Sequence, residues 1–586
     1  MSQVAVLERP EKQQAAVAVS PAPLPVVVMK FGSSVLRNPA DAPSVASDIY
    51  AQVRQGRRVV AVVSAFEGET DRLLAEARAL GLAHDNPLLP AYVAQGEERS
   101  AALTALACDR IGLDAATLTV REVGIVAEGP CEHAHPVALK RSALDRALDR
   151  HEVIVVPGFG ALSPDDRVVL LGRGGSDLTA LFLAAELGLD SVQLVKDVDG
   201  LYDCDPNQNP DARRYDQASW AEAKALGGGL VQPDALDMAQ SRRLKVEVRN
   251  HADGHRTIIG AEGQPPRLPL AHQRLRVAVA GCGVVGGGAL SRLLDDSRVD
   301  VVGVLVRDPS KPRDVPGVDP EALKTLLVSD AASLLDRKPH IVLEALSEAE
   351  AGDALIRAAL QRGVDVASAN KQAVSRDPAG LLALAQAHDA RLLWSASVGG
   401  GVPMVETLRA ARADAPVAAF EAVLNGTVNF MLERIGAGAG FDRALAEARA
   451  AGFAEEDPSS DLEGLDAAAK VRLLAFEAFG VMPDEVDIPR DILSAERSAV
   501  PGARQLCRCR LEEGRLIAEV RLEGGTMDPL FATLRGEGNA LKVVGQDGSI
   551  TRCKGRGAGR WATAESLLAD LSELAAWRAA RRVAAA

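Results

Sequence analysis

Three sets of residues in this chain have the types and spacing to do chemistry. The first is Arg276 to Leu294, RVAVAGCGVVGGGALSRLL, an apolar run leading into G-x-G-x-x-G at Gly281, Gly283 and Gly286. Glycines there allow a tight turn, a close approach of backbone to a pyrophosphate, and close packing of the helix that follows. The free amides of that helix N-terminus, including those of Val284 and Val285, then face the phosphates. The second set is FAEEDPSSDLEGLDAAAK, Phe453 to Lys470, which puts Asp461, Asp466 and Lys470 at steps of five and four. If this stretch is helical, the three lie close to one face; the plain alternative for Asp466 and Lys470 is an exposed i,i+4 pair. The third is KFGSS, Lys30 to Ser34, a cationic side chain before a small-residue turn through Gly32 and Ser33, suited to phosphoryl oxygens. With it goes LGRGGSDLTA, Leu171 to Ala180, where Arg173 offers a planar fork for a carboxylate and Ser176 and Asp177 can cap the next helix.

Such groups need rigid elements to hold them. Short β-rich runs alternate with Ala/Leu-rich stretches throughout, which predicts an α/β protein with parallel sheets and crossover helices. Strands are expected at Val26 to Lys30, Arg58 to Ser64, Val153 to Pro157 and Val192 to Lys196, then at Arg276 to Ala280, Val301 to Val306, Ile341 to Glu344, Val364 to Ser368 and Leu392 to Trp394. A chain of 586 residues is too long for one core. Its clearest break is 261–274, which holds Pro265, Pro266 and Pro269. The expected plan is a flexible tail at 1–24, a first domain at 25–260, the linker, a dinucleotide-binding domain at 275–400 and a further domain at 401–586. SANK, Ser368 to Lys371, closes a strand and is expected to project Asn370 and Lys371 towards the crevice where open α/β sheets bind ligands. After Val301 to Val306, Arg307 and Lys311 suit a 2′-phosphate and favour NADP, while Asp308 keeps NAD open.

Composition removes several classes of function. A net charge of −14 argues against a phosphate-backbone partner, so no nucleic acid is expected. The seven cysteines show no C-x-x-C pair, so neither a disulfide framework nor a zinc site is indicated. No run of about 18 apolar residues occurs, and the tail is broken by Ser20, Pro21, Pro23 and Pro25, so no membrane association and a cytoplasmic location are expected.

From Arg276 onward the motifs and their order, with SVGGGVP (Ser397 to Pro403), LNGTVNF (Leu424 to Phe430) and GRGAGRWATAESLLADL (Gly555 to Leu571), resemble the homoserine dehydrogenase family over roughly 300 residues. The resemblance implies a Rossmann domain followed by an α+β substrate and dimerisation domain, whose C-terminal segment, including Gly559, returns to the cofactor side. It implies reversible reduction of L-aspartate 4-semialdehyde to L-homoserine with NADP or NAD, in a homodimer or higher oligomer. Lys371 and Lys470 then flank the reacting carbonyl, Glu455 takes the substrate amine, and Asp461 and Asp466 hold the substrate and orient Lys470, with Ser368 and Asn370 on the cofactor side. An ammonium aimed at the carbonyl oxygen suits this chemistry, since hydride arrival builds negative charge there. Two departures stand out. Ser395 replaces a Glu that relatives carry near a bound monovalent cation, so no metal ion is expected here. Arg556 replaces Pro in the closing loop and is expected to be a surface change.

The first half, with KFGSS, VSAFEGETD (Val63 to Asp71), GEERSA (Gly96 to Ala101), LGRGGSDLTA and KDVDGLYDCDP (Lys196 to Pro206), resembles the catalytic domain of aspartokinases over about 235 residues. That implies an amino-acid-kinase sheet sandwich transferring phosphate from ATP with Mg2+ to aspartate. Lys30 would meet the phosphoryl group, Thr70, Glu97, Arg173 and Ser176 would surround aspartate, Asp177 would stand near the transfer centre, and Gly32, Ser33, Asp197 and Tyr202 would lie on the nucleotide side. Ser33, Asn207 and Gly229 depart from the family pattern, two of them by loss of a cation. The alternative is thus a catalytically weak kinase half serving as an aspartate-binding or oligomerisation module. The short linker leaves no room for the small regulatory domains of bifunctional relatives, and no threonine or lysine feedback through them is expected.

Overall fold

The computed structural model describes residues 24–81, 86–206, 208–209, 211–226, 230–251, 255–268, 274–454, 456–484, 487–495 and 502–585. Residues 1–23 of the expected tail, Glu455, Asn207 and Gly229 lie outside them, as do residues 269–273 of the expected linker.

The first half is built on an eight-stranded sheet in the order Gln217–Ser219, Arg256–Gly260, Lys245–Arg249, Ser191–Val195, Val26–Phe31, Arg58–Val63, Val153–Pro157, Ala115–Thr117. All its pairs are parallel except Lys245–Arg249 with Arg256–Gly260. Strand side chains alternate between faces, and both faces are covered, which is why these strands read as continuous apolar runs. Val28, Val60 and Val62 pack towards the helices Ser142–Arg150, Gly175–Glu186 and Pro233–Ser241, while Val27, Met29, Phe31, Val59 and Ala61 pack towards Ala42–Val53 and Gln95–Arg110. A four-stranded sheet, His135–Leu139, Ile125–Glu128, Gly160–Leu162, Val168–Leu170, lies beside it and was not expected from the sequence.

The second half starts with a six-stranded parallel sheet in the order Leu327–Val328, Val299–Leu305, Leu275–Ala280, Ile341–Glu344, Asp365–Ser368, Leu392–Leu393. This is the doubly wound arrangement, whose order reverses between Leu275–Ala280 and Ile341–Glu344 and opens a crevice there. A five-stranded antiparallel sheet follows, ordered Arg515–Glu523, Arg504–Glu512, Val417–Val423, Gly538–Gly545, Ile550–Arg556. Its inner face, with Phe420, Cys507, Val520 and Leu541, joins Val398, Met404, Leu408 and Leu474 in a core continuous with Val342 and Val366 of the parallel sheet.

The long helix Arg560–Ala585 then returns to the first sheet. Its Ala564, Leu567, Leu571 and Leu574 pack with Ala289, Leu290 and Leu293 of the helix Val284–Leu293, while Trp561 and Ala569 pack against the first half. The two halves are therefore in direct contact. The Arg110 guanidinium lies 4.4 Å over the Trp561 ring, and Lys554 pairs with Asp114 at 2.8 Å. Arg556 pairs with Asp109 at 3.1 Å and packs against Gly112, so this departure is part of the contact between the halves rather than a free surface change. Among the described residues no helix is long and apolar enough to cross a membrane.

Candidate active sites

In the first half, strand Val26–Phe31 delivers Lys30 to the N-terminus of helix Gly175–Glu186, where Lys30 Nζ stands 2.6 Å from Asp177 Oδ1. Lys196, at the end of Ser191–Val195, stands 3.0 Å from the other carboxylate oxygen. All three side chains are buried. Burial disfavours the Asp177 charge, but the two ammoniums outweigh it and hold its carboxyl below the ordinary range. Burial brings Lys30 down to about 8, against the pull of Asp177. Two cations facing one anion beside uncapped helix amides leave net positive charge where phosphate would sit. Lys196 lies within a quoted motif but was not singled out.

Ser176 and Asp177 do not cap their helix: the N-cap is Gly174, at φ +79, with no side-chain bond, and both residues lie in the first turn. Two charged partners draw Asp177 away from the backbone amides. A Cβ on Gly32 would lie 2.8 Å from Lys30 Nζ, so a side chain there would push that ammonium out of its place. Glu97 is buried in the first turn of Gln95–Arg110; its Oε1 accepts from Ala65 N at 3.3 Å, and Oε2 has no hydrogen-bond partner among the described residues. Burial raises its carboxyl to about 8. Thr70 is half-buried, and Arg173, Ser33 and Asp197 are exposed. The Tyr202 hydroxyl donates to Asp199, itself buried and paired with Arg214 at 2.7 Å.

In the second half the three motif glycines stand in different surroundings. Gly281 has φ +97, and a Cβ there would lie 2.4 Å from Ala345 O; a Cβ on Gly286 would lie 1.9 Å from Gly281 O. Gly283 has open space instead and forms the N-cap of Val284–Leu293 with no side-chain bond, while Val284 is exposed and Val285 half-buried beside it. Arg307 and Lys311 are both exposed, and Arg307 forms an ion pair with Glu348. Glu344, fully buried at the end of its strand, accepts from the Ser368 hydroxyl at 2.6 Å and Asn370 Nδ2 at 3.3 Å. Burial raises its carboxyl. Asn370 thus turns inward to Glu344 and caps Lys371–Val374, instead of projecting into the crevice. Its neighbour Lys371 does reach out.

Lys371 Nζ lies 2.5 Å from Asp466 Oδ1, and Lys470 Nζ lies 2.8 Å from Asp466 Oδ2 and donates to Leu424 O at 2.8 Å. Asp466 is buried, and the two lysines overcome the cost of that burial, holding its carboxyl far below the ordinary range. The helix expected to carry Asp461, Asp466 and Lys470 is split: Ser459–Leu462 ends before Gly464, at φ +72, and Leu465–Phe479 begins after it. Asp461 rejoins the set through Asn425, whose Nδ2 donates to Asp461 at 2.7 Å and to Asp466 at 2.8 Å. Burial raises the Asp461 carboxyl. Asn425 and Glu344 are the polar residues missed here; only the N-cap position of Asn425 before Gly426–Gly436 left a sequence signal. Thr427 donates to Phe453 O at 2.6 Å, next to the segment of Glu455. Gly559, at φ +114, is exposed in the closing loop, which meets the glycine run where a Cβ on Gly400 would lie 2.4 Å from Gly557 O.

Comparison with known proteins covers both sites. The amino acid kinase family model matches residues 25–250, the homoserine dehydrogenase NAD binding domain matches 281–395, and the homoserine dehydrogenase model matches 403–572. An aspartokinase of Mycobacterium tuberculosis is 32% identical over 295 residues, 48% of this chain and 70% of that protein. Aspartokinase 2 of Bacillus subtilis is 30% identical over 231 residues, 39% of this chain and 57% of that protein. Among solved structures, a homoserine dehydrogenase from Thiobacillus denitrificans is 29% identical with a TM-score of 0.48, covering 53% of this chain and 74% of that one. One from Thermoplasma acidophilum is 21% identical with a TM-score of 0.46, covering 52% and 99%.

Proposed function

Since this chain belongs to the aspartokinase family and carries both domains of a homoserine dehydrogenase behind the kinase, a bifunctional enzyme of amino-acid biosynthesis, we propose that Lys30, Lys196 and Asp177 serve one reaction and Lys371, Asp466 and Lys470 the other. The observation that carries the second assignment is the meeting of two lysines, from different domains, on one buried aspartate.

In the dehydrogenase half the open face at Gly283 and the uncapped helix behind it fit a pyrophosphate. A bound nicotinamide supplies the hydride. Asp466 holds both ammoniums towards the position of the aldehyde oxygen, which gains the electron pair of the broken C=O π bond; a lysine Nζ–H then gives it the proton, completing homoserine. Asp461 and Glu455 hold the amino acid. Arg307 favours NADP, because a 2′-phosphate offers it a stronger partner than an exposed surface pair with Glu348.

In the kinase half the partnerless oxygen of Glu97 suits the aspartate ammonium, with Thr70, Ser176 and Arg173 around the rest of the amino acid. A side-chain carboxylate oxygen attacks the γ-phosphorus and ADP leaves, while Lys30 and Lys196 balance the charge on the transferring oxygens. Mg2+ brought in with ATP would add to the charge neutralisation that Lys30 and Lys196 supply. The buried pair of lysines favours an active kinase over a module that only binds aspartate.

The test is made on the full chain: aspartate-dependent ADP release, and semialdehyde-dependent oxidation of NADPH and of NADH. Lys30→Ala should abolish the first and spare the second, and Lys470→Ala the reverse. Absence of semialdehyde turnover with both nucleotides defeats the dehydrogenase assignment, and an ADP release that ignores aspartate defeats the kinase one.

A further inference from the structure

One buried cation in the dehydrogenase half is not its own. Arg54, at the C-terminal end of helix Ala42–Val53 in the kinase half, is 8% exposed and points across the domain contact. Its Nη2 lies 2.8 Å from Glu406 Oε1, 3.2 Å from Glu573 and 3.2 Å from the Ser395 hydroxyl, forms a further ion pair with Asp570, and its Nη1 lies 3.3 Å from Ser566 O. Asp570 is fully buried and Glu406 nearly so. Without Arg54 the buried Asp570 and the partly buried Glu406 would lose the guanidinium that faces both, and one Glu406 oxygen already has no hydrogen-bond partner among the described residues.

The cluster bears on the reacting groups through a short path. Asp570 accepts from Ser395 N at 3.0 Å, and the Ser395 hydroxyl donates to Glu406, so the turn Ser395–Ser397 is held from one side by groups that Arg54 neutralises. On the other side Ser397 donates to Ser368 O at 2.9 Å, three residues before Lys371. The same turn runs on to Gly400, which closes against Gly557 of the last loop. We propose that Arg54 is a positioning residue for semialdehyde reduction, lent by the kinase half to fix the turn that sets Lys371 and the closing glycine loop. This rests on the reading of Lys371 given above. Planar geometry matters, since one guanidinium meets carboxylates from two helices and a backbone carbonyl at once.

The experiment uses the full chain with Arg54→Ala and Arg54→Lys. For Arg54→Ala, kcat for semialdehyde reduction should fall at least about tenfold, as expected when a reacting group is misplaced from a distance, while aspartate-dependent ADP release stays at the wild-type rate. Millimolar guanidinium should restore much of the loss and equimolar KCl should not, and Arg54→Lys should lie between. Wild-type kinetics in Arg54→Ala overturn the proposal. So does a loss that guanidinium leaves untouched with Arg54→Lys no better than Arg54→Ala, which makes Arg54 a structural bolt only. A wild-type chain that reduces no semialdehyde overturns the reading of the site, and this proposal falls with it.

Discussion

Replacing Asp466 by Asn isolates the electrostatic core of the dehydrogenase site. The side chain keeps its size, and the Asn425 amide can still donate to its oxygen, but the charge facing Lys371 at 2.5 Å and Lys470 at 2.8 Å is gone. A hydrogen bond to a charged group is worth about 1.5–3 kcal/mol. Losing the one that aims an ammonium at the substrate should therefore lower kcat by about 10- to 150-fold, at about 1.36 kcal/mol per tenfold. The assay is NADPH oxidation by the semialdehyde at saturating substrate across neutral and alkaline pH, with NADPH binding by fluorescence as the control. A kcat within about threefold of wild type refutes the assignment of Asp466 as the common anchor.

Other outcomes follow from the same geometry. Gly286→Ala drives a Cβ into Gly281 O and should lower the melting temperature and abolish NADPH binding, whereas Gly283→Ala meets open space and should melt like wild type yet bind NADPH at least about tenfold more weakly; equal binding by Gly283→Ala would contradict a pyrophosphate at that face. Lys196→Ala should lower kinase kcat about 100-fold and leave semialdehyde reduction alone, a split that coupled assays on one preparation reveal. Glu97, raised to about 8 by burial, is protonated at neutral pH and gains its charge as pH rises, so KM for aspartate should fall between pH 7 and 9. Glu97→Gln should flatten that profile, and a profile unchanged by the substitution removes Glu97 from the ammonium site.

The sequence made the strands legible because buried parallel strands are unbroken Val-rich runs, as in VVVMKF and RVVAVV. It hid the four-stranded sheet, whose strands are three to five residues long and, in His135–Leu139, mostly exposed or half-buried, leaving no run to detect. The glycine motif was legible as a turn from strand into helix, with no room for a side chain at Gly281 or Gly286. Charges that meet across the fold were not. Lys196 and Lys30 are 166 positions apart, and Arg54 lies more than 300 from Glu406, so no local pattern marks them as partners. Tertiary contacts prevailed over local chemistry: two lysines took Asp177 away from capping, and Gly464 split a helix whose Asp461 and Asp466 are joined instead by Asn425.

The helix Arg560–Ala585 sets an order on the birth of the molecule. It fills the groove beside Val284–Leu293, made about 270 residues earlier, and covers the kinase helices as well. At about 5–20 residues per second, a ribosome needs roughly 14 to 55 seconds to travel between the two. Throughout that interval Ala289, Leu290 and Leu293 lack their lid, and Arg54 waits without Asp570. The nascent kinase and dinucleotide domains thus remain a waiting pair of surfaces, and a premature stop before Arg560 would strand both in that open state.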